Sequence, residues 1–162
     1  MSGAPDSGRL IDVPIESLPF VDEHSTEIAA TPGEVWDALV AVAAGSTAGP
    51  GGAAVARVLG CDETKRTGEA GQIGSTLPGF VVARSVRPAV LALLGAHRFS
   101  RYALIFRIAE TPEGTVVLGA ETRAEFPGRT GALYRAAVIG TRGHVLATRS
   151  VLRAVRRSAE RG

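Results

Sequence analysis

"IAATPGEVWDALV", residues 28–40, holds the junction on which the fold turns. Upstream of it, "VDEHSTEIAA" (21–30) alternates. Asp22, His24, Thr26, Ile28 and Ala30 share one side of a strand, while Val21, Glu23, Ser25, Glu27 and Ala29 share the other. The two glutamates assign the second side to water, so His24, Thr26 and Ile28 are expected to look inward. A helix is expected to begin at once after the strand. Thr31 suits an N-cap, its hydroxyl accepting from the first free backbone N–H groups. Pro32 falls at the first helical position, where its missing N–H costs nothing. Glu34, three residues after Thr31, can reach back and complete a capping box. Val35, Leu39 and Val42 then recur at helical spacing with Trp36 beside them as core. One strand is thus turned sharply into one helix that packs against a sheet.

Beyond the helix, "GSTAGPGGAA" (45–54) is a loop by composition and "AAVARVLG" (53–60) a short second helix. "CDETKRTGEAGQIG" (61–74) is polar and glycine-rich but lacks the Gly-Lys-Ser/Thr ending of a phosphate loop. Strands dominate from about residue 72. "GFVVARSVR" ends at Pro88, and "AVLALLGAH" follows as a strand on the strength of its position between two others. "RYALIFRIAE", "TPEG" and "TVVLGAETRAEF" make the clearest hairpin. Tyr102, Leu104, Phe106 and Ile108 line one side of its first strand, matched by Val116, Leu118, Ala120, Thr122 and Phe126 on the second. Arg101, Arg107, Glu121, Arg123 and Glu125 fall on the opposite side, where cross-strand ion pairs on a wet surface account for them. Residues 128–158 read as one long helix that Gly140 and Gly143 can bend. Leu133, Ala137, His144, Thr148, Val151 and Val155 form its core side, and Arg135, Arg142, Arg149, Arg153 and Arg156 its arginine side.

A chain of 162 residues with 45% hydrophobic content suits a single folded domain over residues 20–162. Residues 1–19, with three prolines, form an irregular N-terminal arm. No apolar run reaches the roughly 18–20 residues of a membrane span, and the first residues show no charged-then-apolar leader. A single cysteine, Cys61, excludes an intrachain disulfide and agrees with a cytoplasmic setting. The net charge of +2 hides a balance of −7 over residues 1–83 and +9 over residues 84–162.

The order of elements is strand, capped helix, glycine-rich stretch, antiparallel strands and long C-terminal helix. With "IAATPGEVWDAL" at its entry, it resembles the START-like, Bet v 1-like (SRPBCC) helix-grip superfamily, which includes polyketide cyclase/dehydrase-like proteins. The resemblance implies an α+β fold in which a curved antiparallel sheet wraps a long C-terminal helix. It also implies an apolar space between the two for lipids, polyketides or similar molecules. The superfamily shares no universal catalytic residue, so fold alone does not supply an activity. With only eight Phe, Trp and Tyr, this chain departs from the aromatic-rich pockets of some relatives.

Alternation and helical spacing direct His24, Thr26, Tyr102, Phe106, Thr122 and His144 to one interior. These are the candidate ligand-binding residues, with a closed core as the alternative. The leading reading is a protein that holds a small apolar or amphipathic molecule between the sheet and the C-terminal helix. A second is a polyketide cyclase/dehydrase-type enzyme that moves a proton through His24 or His144. No nucleophile–base–orienter set is visible, and no catalytic residue is assigned. A third is an interaction protein that uses the arginine side against an anionic lipid, an acidic partner or a second copy. Nucleic acid is not expected, because neither a motif nor interleaved aromatics accompany the arginines. His24, His97, His144 and Cys61 lack metal-ligand spacing, and neither a metal nor another cofactor is expected.

Overall fold

In the computed structural model, residues 14–48, 67–97, 100–138 and 142–162 are described. After a single 3-10 turn at Ile15–Ser17 come β1 (Phe20–Ile28), α1 (Pro32–Ala48), β2 (Thr76–Leu77), β3 (Phe80–Val86), β4 (Val90–His97), β5 (Ser100–Glu110), β6 (Val116–Glu125), α2 (Gly128–Val138) and α3 (Gly143–Ala159). The strands form one curved antiparallel sheet in the order β1-β6-β5-β4-β3-β2, with α3 as the C-terminal helix of this α+β arrangement. The stretch 53–60, expected as a short helix, lies outside the described residues, as do Cys61 and Gly140.

The β1–α1 junction has the expected chemistry. The Glu34 N–H donates to Thr31 Oγ1 at 3.3 Å, and the Thr31 N–H donates to Glu34 Oε2 at 2.8 Å. This reciprocal capping box satisfies backbone donors that a helix start otherwise leaves open. The helix runs on to Ala48, past the loop expected from residue 45, since the Ala-rich run favours helix enough to carry Gly45. The β5–β6 hairpin turns at residues 111–114, where Gly114 takes φ +81° and its N–H donates to the Thr111 carbonyl.

Register decides which residues meet. Phe106 stands opposite Leu91 on β4 and Ala120 on β6; His24 stands opposite Ala120, and Asp22 opposite Thr122. The inner side of the sheet therefore supplies Ile28, Leu91, Leu93, Phe106, Leu118 and Ala120. They pack against Val35, Trp36 and Leu39 of α1 and Leu152, Val155 and Ala159 of α3. Fully burying a side chain such as Phe106 contributes roughly 2–3 kcal/mol. At the far end of α3, Glu160 Oε1 accepts from the Ala29 N–H at 3.2 Å and from Arg156 Nε at 3.0 Å, which ties the helix to the β1–α1 turn.

The outer side of the sheet is not uniformly wet. Val81, Ala92, Leu94, Ala103 and Ile105 form a second apolar cluster, roofed by Ile15 and Leu18. Arg123 donates to the carbonyls of Glu16 and Leu18, and Arg84 pairs with Glu16, so the roof is hydrogen-bonded as well as packed. The ion pairs expected on this side are present: Arg101 with Glu125, and both Arg107 and Arg123 with Glu121. Glu121, however, is only 7% exposed, so a wet surface does not describe it. Burial acts to raise its carboxyl, but hydrogen bonds and charge from the two arginines outweigh it and hold the group below its ordinary value.

The long C-terminal helix is two helices. α2 ends at Val138, α3 starts at Gly143, and Arg142 between them takes the left-handed φ of +56°. Such a residue breaks the helical phase, so a wheel drawn through 128–158 misplaces whatever lies before the break. Leu133, expected in the core, is 75% exposed. Within α3 the expectation and the structure agree: Thr148 and Val155 are buried, and His144 and Val151 half-buried.

Candidate functional site

The inner side of the sheet has two unlike halves. Toward the C-terminal end of β1, Ile28, Phe106, Ile108 and Leu118 are sealed beneath α1 and α3. Toward its start, His24, Thr122, Leu104, Tyr102 and Phe80 are only half-buried, although they face the same way. At that second end a polar cluster gathers around Asp22. A register shift between Phe20 and Asp22 precedes it, and such irregularities re-aim side chains.

His144, in the first turn of α3, places Nε2 2.8 Å from Asp22 Oδ2, and His24 Nε2 stands 3.2 Å from the same oxygen. The Asp22 side chain is 21% exposed. Its burial acts to raise the carboxyl pKa. The hydrogen bond from His144, the nearby Thr122 hydroxyl, the His144 charge and the hydrogen bond from His24 overcome that and hold it below the usual value. An ionised carboxylate only accepts, so both rings present Nε2–H to it. A neutral ring that donates through Nε2 keeps Nδ1 as an acceptor. The first turn of a helix also favours a neighbouring anion. Asp22 Oδ1 and Thr122 Oγ1 are buried without a hydrogen bond of good geometry, an uncommon state for two polar atoms on adjacent strands.

Among the six residues singled out in the sequence, His24 and His144 meet at Asp22, with Thr122 beside them on β6. Thr26 lies two residues further along β1, opposite Leu118. Phe106 belongs to the sealed core. Tyr102 leans across Gly95 of β4, with its hydroxyl donating to the Gly79 carbonyl at 2.7 Å and its ring edge-on to Phe80. Asp22 itself was legible only as a carboxylate two residues before His24 on the inward side of β1. Among the described residues no group of three or more His, Cys, Asp and Glu is arranged to hold a metal ion, and no helix is long and apolar enough to cross a membrane. A separate open groove of about 470 Å³ runs beside Trp36, Val40, Gly71 and Arg87 and shares no residue with the Asp22 cluster.

No protein-family model and no curated protein sequence matches the chain. Solved structures do. Ara h 8.0201 aligns with a TM-score of 0.54 over 87% of this chain and 97% of its own, at 8% identity. Truncated norcoclaurine synthase from Thalictrum flavum aligns with a TM-score of 0.50 over 84% of this chain and 94% of its own, at 13% identity. At such identities the likeness is one of fold.

Proposed function

On a chain with the helix-grip fold of the START-like, Bet v 1-like superfamily, we propose a small-molecule binding function. The ligand is apolar or amphipathic and lies between the half-buried end of the sheet and α3. One observation carries this reading. The inner side of the sheet is sealed at one end and left half-buried at the other, and there apolar Leu104 and Phe80 lie on the same side as the polar Asp22–His24–His144–Thr122 group. Mostly apolar walls with a few convergent polar groups are what small-molecule sites require. The apolar body of the ligand packs against Leu104 and Phe80, and its polar end meets the histidines.

Native mass spectrometry of the freshly purified protein, followed by extraction of whatever denaturation releases, tests the reading. A discrete added mass of lipid or polyketide size is expected, and Leu104→Trp should abolish it while leaving the circular dichroism spectrum intact. A bare polypeptide that also fails to bind amphipathic fluorescent probes would refute it.

The Asp22-held histidines favour a second reading, a cyclase/dehydrase-type enzyme acting on a carbonyl substrate. In it an imidazole oriented by a carboxylate takes or gives a proton, the general acid–base arrangement. Turnover of a carbonyl substrate that survives both His24→Gln and His144→Gln would eliminate it.

A further inference from the structure

The outward side of α3 carries a feature that the ligand reading leaves unused. From Phe126 to Ala159 the chain holds seven arginines and no Asp or Glu. In α3 the buried row is Thr148, Leu152, Val155 and Ala159. On the solvent side of the helix runs an exposed row of Leu146, Arg149, Arg153 and Arg157 at spacings that keep one side of a helix together. From Leu146 to Arg157 the row is about 16 Å long at the α-helical rise. Arg142, exposed, stands just before it. None of these four arginines has a carboxylate partner among the described residues, whereas neighbouring Arg156 is paired with Glu160. Leu146, at the head of the row, is 65% exposed. α2 repeats the combination, exposing Leu133 between Arg129 and Arg135.

From this row we infer that the outward side of α3 docks on an anionic lipid surface. Unpaired arginines alone fit any array of phosphates. Exposed leucines set among them do not: they add nothing to contacts along a nucleic-acid backbone. At a bilayer they enter the boundary between headgroups and acyl chains while the arginines meet lipid phosphates, which is how interfacial amphipathic helices bind. Aromatic side chains that would stack on bases are absent from the row. The helix lies in the surface plane, with its buried row still on the sheet, so docking requires no unfolding. The inference stands whether or not a ligand occupies the Asp22 end.

Flotation with vesicles tests it. The protein should float with vesicles of equimolar phosphatidylcholine and phosphatidylglycerol, stay behind with phosphatidylcholine alone, and be released by salt. Replacing Arg149, Arg153 and Arg157 by Gln should weaken binding about 100-fold, and replacing the same three by Lys should retain it. Leu146→Ser, which leaves the charge unchanged, should weaken it severalfold. All these positions are exposed, and unchanged circular dichroism verifies the fold. Failure to float with anionic vesicles overturns the inference, as does binding indifferent to both the Gln and the Ser replacements. Equally tight binding to duplex DNA or polyglutamate, independent of Leu146, would make the row a general polyanion surface and overturn the lipid assignment.

Discussion

At Asp22, burial and hydrogen bonding act in opposite directions on one carboxyl, and hydrogen bonding wins. The sign for stability follows. A carboxyl pKa depressed in the folded state adds stability that is present above the ordinary carboxylate value, about pH 3.9, and lost as pH falls through the depressed one. Asp22→Asn should therefore cost about 1–2 kcal/mol at neutral pH and flatten the acid limb of a stability–pH curve measured by urea unfolding. A glycine makes the contrasting case. A Cβ at Gly95 would run into the Gly79 carbonyl oxygen and the Tyr102 ring. Gly95→Ala should lower stability by roughly 1–3 kcal/mol, read as a shifted thermal midpoint, because a backbone oxygen cannot swing aside as a side-chain tip can. Neither requirement was legible in the sequence. Asp22 needs a partner from α3, and the Gly95 notch depends on Tyr102 crossing a neighbouring strand.

Single elements divide by how local their determinants are. The capping box spans four consecutive residues and the hairpin turn four more, so both were readable, and both are present. Thr31→Ala should cost about 1 kcal/mol, measurable as a lower urea midpoint. The spacing of the C-terminal segment reads as one continuous helix, whereas Arg142 takes a left-handed conformation between α2 and α3, and arginine carries no signal for that conformation. Alternation puts Glu121 on the outer side of the sheet but does not say what covers that side. With two arginines converging on it, Glu121→Gln should destabilise by about 2 kcal/mol, more than replacement of an exposed strand glutamate such as Glu27, and comparison of the two variants by thermal unfolding decides it.

On the scale of the molecule, the sheet is loaded from both sides: helices on the inner side, and Ile15 with Leu18 on the outer. Leu18→Ala should thus behave as a core substitution and cost about 2–3 kcal/mol, with raised binding of an apolar dye to the uncovered cluster. The order of strands and helices could be read from the sequence because it rests on alternation and helical spacing, which are periodic. The grouping of His24 with His144 could be anticipated as two inward-facing residues, but not as partners, since no periodicity links β1 to α3.

His144 and Asp22 are separated by 122 positions along the chain yet share one hydrogen bond. Contacts between such distant positions carry a loop-closure cost that local contacts do not. The imidazole resonances of His24 and His144 therefore offer a built-in clock for chain assembly. In a refolding experiment they should reach native values last, after the β5–β6 hairpin has already protected its amides.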